Sequence, residues 1–423
     1  MGGSIFRLAW ASLTNRRVSA LLTILAVALS VALFLGVEKA RKAARAGFDN
    51  TISGTHLIVG APTGEVNLLL YSVFRIGNAT AEMSWQAFED IQARDDVAWA
   101  IPISLGDNHR GFRVLGTVPA YFERYQYGAE QPLSFRDGEV FDDIYDAVIG
   151  AQAARELGYA VGDEFELTHG LGEAHGINDH DDKHFHVAGI LAPTGTPVDR
   201  TVHISVEGIT AIHIGWESGA ENPLAHTITD EMIRDFDLTP KTITATFIGL
   251  KSKGSVLRTQ REINTQSREP LLATMPGAAL AQLWQVMGVA ERILLAVSAF
   301  VIAVGLVSIL TSILTSLNER RREMSILRAV GARPGHILAL MVTEAALLGL
   351  IGAIVGAVLI QILFAVAAPV LSTRYGVALI GTGPGIIDLI TIAVVTLASF
   401  MLGLWPAVTA LRRSLADGLT VKT

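Results

Sequence analysis

The sequence predicts a membrane α-helical protein of four transmembrane helices with a large extracytoplasmic α+β domain inserted between helices 1 and 2. Three observations carry that expectation. Half of the 423 residues are apolar and the mean hydropathy is positive, which is too greasy for an ordinary soluble protein, and the chain is too long for one compact domain. Long uncharged runs sit at both ends. Between them lies a segment with the mixed strand and helix texture of a soluble domain.

The first run, 18 to 37, holds twenty uncharged positions, and at 1.5 Å per residue these reach about 30 Å, the thickness of a hydrocarbon core. A signal peptide competes for the same stretch, because Arg16 and Arg17 precede it and Ala44-Arg45-Ala46 resembles a cleavage site. The run exceeds the roughly 7 to 15 apolar residues of such a peptide, which favours an uncleaved anchor. Three further runs occupy 292 to 317, 338 to 368 and 386 to 411.

Four spans put both termini on one side of the membrane. The loop 318 to 337 holds Arg320, Arg321, Arg322, Arg328 and Arg333, whereas 369 to 385 holds only Arg374, and the tail holds Arg412, Arg413 and Lys422. This asymmetry places the arginine loop and both termini in the cytoplasm. Lys39, Arg41, Lys42 and Arg45 follow the first span on the outer side, where a large translocated domain weakens the rule. The expected organisation is 1–45, N-terminal segment and first helix; 46–275, outer domain; 276–423, stalk and remaining helices. Leu280, Leu283, Met287, Ala290 and Leu294 recur at helical spacing before the second span, as in a stalk running into the bilayer or a surface helix that ends there.

In the outer segment, β-rich runs include His56-Leu-Ile-Val, Phe112-Arg-Val-Leu, Ala147-Val-Ile-Gly, Phe165-Glu-Leu, 186 to 191, Val202-His-Ile-Ser-Val and 243 to 250. Ser84 to Ala93 and Ala151 to Leu157 read as short helices. The net charge of -7 argues against nucleic acid as a partner. With no cysteine, disulfides and thiolate centres are excluded, so any metal chemistry must use His, Asp and Glu.

Within the arginine loop, Met324, Leu327 and Ala329-Val330 interleave with the charges, Gly331 can stop a helix and Pro334 lies just beyond. Two readings stand: an amphipathic helix that docks on a soluble partner, or charges that only fix the orientation of the spans. Glu319-Arg-Arg-Arg-Glu-Met-Ser-Ile-Leu-Arg-Ala-Val-Gly-Ala, followed by Met341-Val-Thr-Glu-Ala-Ala-Leu-Leu-Gly-Leu-Ile-Gly-Ala-Ile-Val-Gly, resembles the FtsX-like permease domain of the MacB, LolC/LolE and FtsX family of ABC transporter subunits. Leu57-Ile-Val-Gly, Gly116-Thr-Val-Pro-Ala-Tyr-Phe, Ala147-Val-Ile-Gly and Val187-Ala-Gly-Ile-Leu are similar, in order, to landmarks of that family's periplasmic core domain.

The resemblance implies a non-catalytic permease subunit in the bacterial inner membrane. It would work as a homodimer or heterodimer with a separate cytoplasmic ATPase that supplies ATP and magnesium, acting by mechanotransmission on an envelope substrate. The alternative is an FtsX-like regulatory subunit that activates a periplasmic enzyme and moves nothing. By the same resemblance, Glu319, Arg320, Arg321, Arg322, Glu323, Met324, Leu327 and Arg328 contact the ATPase, Gly331 ends the coupling helix, and Gly349, Gly352 and Gly356 lie on the packing face of the third span. Glycines at three- and four-residue spacing let helices approach closely in lipid whatever else they do. No GxxxxGK[ST] phosphate loop and no Gly-x-Ser-x-Gly elbow occur in the chain. A periplasmic carrier or effector protein and membrane lipid complete the expected partners.

Glu344 is the main acid within the spans, and a position near the cytoplasmic end suggests pairing with a loop arginine or reaching to the interface. Asp388 takes the same reading. Eight of the eleven histidines fall between 169 and 226. The segment 165 to 191 reads as a hairpin with a glycine-loosened tip, in which His184 and His186 share one face of the returning strand. With His180 or Asp182 from the tip they could complete a zinc-type nitrogen and oxygen set; the competing and better supported reading is a solvated polar loop. His180-Asp-Asp-Lys-His184 lacks the glutamate of a zinc protease motif.

Overall fold

The computed structural model describes residues 2–169, 179–214, 230–266, 268–319, 331–375 and 383–416. It divides into two compact units: Met1–Ala44, Gly288–Pro369 and Leu379–Thr423 form one, and Arg45–Met287 with Val370–Ala378 form the other.

Among the described residues, four helices are long and apolar enough to cross a membrane. They are Arg17–Asp49, Pro276–Glu319, Pro334–Tyr375 and Ile386–Ala416, here called the first to fourth spans. Each outruns its apolar stretch, because a helix ends where backbone signals end it and not where hydrophobicity stops. The second span is one unbroken helix from Pro276. Its first turns place Ala279 and Leu280 in the core of the sheet-containing unit. The N-terminal residues, left without structure in the sequence reading, form a separate helix, Gly2–Asn15, which buries Ala9 and Leu13 among the spans.

The other unit is built on strands β1 (Leu57–Gly60), β2 (Met83–Ser84), β3 (Val97–His109), β4 (Phe112–Thr117), β5 (Gln126–Tyr127), β6 (Gln131–Pro132), β7 (Phe135–Gly138), β8 (Asp146–Ile149), β9 (Glu164–His169), β10 (Asp179–Leu191), β11 (Thr201–Ser205), β12 (Thr242–Ile243), β13 (Ala245–Leu250) and β14 (Leu272–Thr274). Ten of them form one sheet in the order β14-β1-β13-β3-β4-β11-β8-β10-β7, with β9 pairing both β10 and β3. That double pairing closes a ring of six strands, β3-β4-β11-β8-β10-β9, and closure leaves these strands without a free edge. Phe165, Leu167, Phe185, Val187, Val202 and Ile204 pack in its core. Of the remaining strands, β1 and β13 are covered on both faces: Ile58 and Phe247 enter one core cluster, while their neighbours Leu57, Val59 and Ile248 enter another.

The short helices Trp85–Gln92 and Ala151–Leu157 lie where the sequence placed them. Ser84 caps the first by accepting from the Ala87 N–H, and Gly158 ends the second at φ 77°. The longest strand of the first half, β3, escapes sequence reading because Pro102 and Gly106 interrupt it. It changes partner in mid-course. Residues up to Ile103 pair with β13 and pairing with β4 begins at Ser104, so Pro102 precedes the β4 ladder.

Candidate functional site

Small residues set the distances within the membrane unit. A Cβ on Gly352 would lie 2.7 Å from Val27 Cβ, and one on Gly356 would run into the Ala28 carbonyl, so the third span rests against the backbone of the first. Gly349 faces Ser399 of the fourth span in the same way, and Gly403 returns the contact against Ala345 at 2.7 Å. Gly305 of the second span admits Ser30 of the first, again at 2.7 Å. Buried Ser30 and Ser399 turn their hydroxyls back onto the carbonyls of Ala26 and Val395 in their own helices. The seam therefore exposes no unpaired hydroxyl at these two positions to lipid.

Among the described residues, a set of ion pairs lies at one end of this unit. Lys39 Nζ lies 3.1 Å from Asp388 Oδ2 and donates to the Gly383 carbonyl at 2.9 Å, and both side chains are buried. Asp388 also accepts from the Gly385 N–H at 2.7 Å, so it caps the fourth span while neutralising Lys39 of the first. Two residues on, Arg41 grips Glu38 through two bonds of 3.0 and 2.8 Å and reaches Glu291 of the second span at 3.5 Å. Lys39 and Arg41, read in the sequence only as flanking charges, thus join three spans. The adjacent opposite charges of Glu38-Lys-Ala-Arg-Lys carried a local trace of the Glu38 pairs, but nothing local could have named Asp388.

Glu344 is also buried and receives a hydrogen bond from Ser12 of the N-terminal helix at 3.3 Å. Of the loop arginines expected from sequence to pair with Glu344, Arg320, Arg321, Arg322 and Arg328 lie outside the described residues; the contact with residues 2–15 is an addition to that reading. The apolar spacing of Phe6, Ala9, Trp10 and Leu13 was the available signal for a helix there.

Of the coupling residues, Glu319 is the last residue of the second span, and Arg320, Arg321, Arg322, Glu323, Met324, Leu327 and Arg328 lie outside the described residues. Gly331 stands at φ 96°, a conformation that favours glycine. Pro334 then opens the third span, its missing N–H costing nothing at a helix start.

The histidine-rich stretch does fold back as a hairpin, with Phe165 opposite Phe185. Phe185 and Val187 are buried and His184 and His186 face out. Each histidine meets a glutamate of β9: His184 Nδ1 is 3.4 Å from Glu166 and His186 Nε2 is 3.2 Å from Glu164. The backbone of His180 and Asp182 belongs to β10 rather than to a loop tip; their side chains and residues 170–178 lie outside the described part. Among the described residues, no group of three His, Asp or Glu side chains could hold a metal ion.

The histidine enrichment divides in space. His203 is fully buried beside Tyr121 and Phe122, with Nδ1 donating to the Val148 carbonyl at 3.1 Å; burial pushes its pKa down to about 3. His213 Nδ1 contacts the Ile209 carbonyl at 2.6 Å. His109, unremarked in the sequence, is buried in the strand ring, where Nδ1 meets the Glu166 carbonyl at 2.7 Å and Nε2 the Tyr159 hydroxyl at 2.9 Å. Burial pulls its pKa down to about 4. His109 and His203 are thus neutral core residues.

The model of the FtsX-like permease C-terminal family matches residues 295–415, and that of the MacB-like periplasmic core domain matches residues 20–265. An uncharacterized ABC transporter permease of Methanocaldococcus jannaschii is 43% identical over 74 residues, which is 18% of either chain. The alignment thus spans less than a fifth of that relative. The periplasmic region of MacB from Actinobacillus actinomycetemcomitans aligns over 94% of its length with 55% of this chain, at 8% identity and a TM-score of 0.34. The extracellular domain of the noncanonic ABC-type transporter YknZ from Gram-positive bacteria aligns over 99% of its length with 52% of this chain, at 12% identity and a TM-score of 0.31.

Proposed function

The chain belongs to the MacB/FtsX-type family of ABC transporter permeases, and from that premise we propose that it couples ATP hydrolysis by a separate cytoplasmic subunit to work on an envelope substrate. The observation that carries this reading is the permease match over 295–415, which takes in the arginine loop and the three spans around it. In this reading Glu319 to Arg328 dock on the ATPase, Gly331 ends the docking helix, and both termini lie on the same cytoplasmic side, as the arginine asymmetry of the loops favours. Two permease copies share a pair of ATPases, and the substrate is extruded or extracted from the outer face.

The close-packed seam supports transmission of force over conduction. Helices held together at Gly349, Gly352, Gly356 and Gly403 move as a packed body, because tightly packed interiors shift between discrete arrangements and do not deform smoothly. The experiment is ATPase stimulation: the full chain reconstituted with its ATP-hydrolysing partner should lose most of that stimulation when Arg321 and Arg322 are both changed to Glu. Retained stimulation and retained binding of the ATPase would remove the coupling role from this loop. Zinc remains a candidate ligand of the His184 and His186 face, for which a metal titration is the deciding measurement.

A further inference from the structure

In the sheet-containing unit, the helix Glu65–Ser72 ends in a turn that sets Arg75 at φ 60°, a left-handed conformation that costs every residue but glycine. Hydrogen bonds hold the turn there. The Ile76 N–H donates to the Leu70 carbonyl at 3.0 Å, and Arg113 Nη2 of β4 donates to the Gly77 carbonyl at 2.8 Å and to Asn78 Oδ1 at 2.7 Å. Strain of this kind persists where the surroundings over-determine it, and it gathers at binding sites. Here it keeps Arg75 half-buried, with Nε and Nη1 inside the fold.

Beside it lie Tyr121 and His203, both fully buried, with ring centroids 5.5 Å apart. The guanidinium charge bears on each of them. Burial pushes the Tyr121 hydroxyl up to about 12 against the pull of Arg75, yet the two are not in hydrogen-bond geometry: Tyr121 Oη, His203 Nε2, Arg75 Nε and Arg75 Nη1 are all buried without a partner. The neighbouring polar groups are already committed. The Tyr125 hydroxyl donates to the Thr51 carbonyl at 2.6 Å, and Asp199 accepts from the Thr194 and Gly195 N–H groups, each at 2.8 Å. Orphaned polar atoms gathered at a cation, with no carboxylate bonded to either of its buried nitrogens, are too costly to leave unmatched and call for an ion.

Donor and acceptor roles define that ion. Arg75 Nε and Nη1 only donate, and the Tyr121 hydroxyl has a proton to give. His203 Nδ1 spends its proton on the Val148 carbonyl, so the neutral ring offers only a lone pair at Nε2. A ligand that serves all of them accepts from arginine and tyrosine and gives one proton to the histidine. Chloride, nitrate and sulfate carry no such proton at neutral pH, and water carries no charge. We propose that Arg75, Tyr121 and His203 bind a small proton-bearing oxyanion, hydrogencarbonate or hydrogen phosphate, with Arg75 supplying the charge, the Tyr121 hydroxyl donating to it, and His203 Nε2 accepting its proton. Arg75 adjoins the exposed residues Ile76, Gly77 and Asn78, where the anion enters.

The test is equilibrium dialysis of the intact chain in mild detergent against radiolabelled hydrogencarbonate and, separately, radiolabelled phosphate; which label is retained identifies the anion. Excess sulfate or chloride should not displace it. Arg75→Gly should abolish binding, and this variant keeps the backbone at φ 60° without strain. Tyr121→Phe keeps the buried ring and should weaken binding about tenfold, the scale of one hydrogen bond to a charged group. Arg110→Gly, which changes another arginine at positive φ on the exposed surface, should bind as the wild type does. Retention of neither label by the wild type would overturn the site and leave the cluster to water. Equal binding in wild type and Arg75→Gly would place the anion elsewhere, and equal competition by sulfate would show an adventitious ion only.

Discussion

Lys39 and Asp388, 349 positions apart in sequence, form a buried ion pair at 3.1 Å between the first and fourth spans. Removing one partner strands a buried charge, which costs about 3 to 5 kcal/mol where such pairs have been broken. Lys39→Met or Asp388→Asn alone should therefore lower the thermal midpoint of the detergent-solubilised chain. Lys39→Met with Asp388→Asn should recover part of that loss, because no uncompensated charge is left. A double variant no more stable than either single one would mean that the pair does not act as a unit.

The glycine seam predicts a graded response to added bulk. Gly352→Val and Gly356→Val meet Val27 and the Ala28 backbone and should each destabilise the membrane unit by a few kcal/mol, as overpacking does. Gly288→Ala, where nothing lies within 4 Å, should be neutral or stabilising by up to about 1 kcal/mol through helix propensity. Thermal midpoints of the three variants, measured side by side, check the contrast.

Acid should weaken the sheet-containing unit through two histidines. His109 and His203 titrate in the folded chain at about 4 and about 3, below the ordinary value near 6.5. Below that ordinary value the unfolded chain takes up protons that the folded one refuses. Stability should thus fall as pH drops from about 6.5 towards 4, with a loss on the order of 3 kcal/mol between pH 7 and pH 5. Urea midpoints from tryptophan fluorescence of the solubilised chain would read it. A flat profile across that window would show that neither histidine holds its proton off.

Zinc should bind the outer hairpin weakly if His184 and His186 act only through their separate glutamates. Two isolated His–Glu pairs fall short of the three protein ligands of even an open zinc site. Micromolar or weaker binding, lost in His184→Ala/His186→Ala, fits the pairs. Much tighter binding would require further ligands to join them, with His180 and Asp182 the first to vary.

Much of the architecture was legible because the signals for it are local. Twenty uncharged residues from 18 to 37 specify a span by length alone, and Ser84 and Gly158 mark helix ends through their own backbone chemistry. The hairpin at Phe165 and Phe185 followed from alternation. Where local signals conflict, the reading stopped: Pro102 and Gly106 hid β3, whose change of partner only the assembled sheet reveals. The histidine enrichment does not make one site for a related reason: His184 lies at the surface and His203, nearby in sequence, in the core.

The sequence by itself determined that four helices cross a membrane, that a sheet-rich domain accompanies them and which family the chain resembles, because length, periodicity and motif are properties of neighbouring residues. Only the tertiary structure decided that Lys39 belongs to Asp388, Ser12 to Glu344, Gly352 to Val27, and that β9 closes a ring between β3 and β10. Each of those joins positions distant in sequence, and their partners are chosen by packing and by the cost of leaving a buried charge or a sheet edge unmatched.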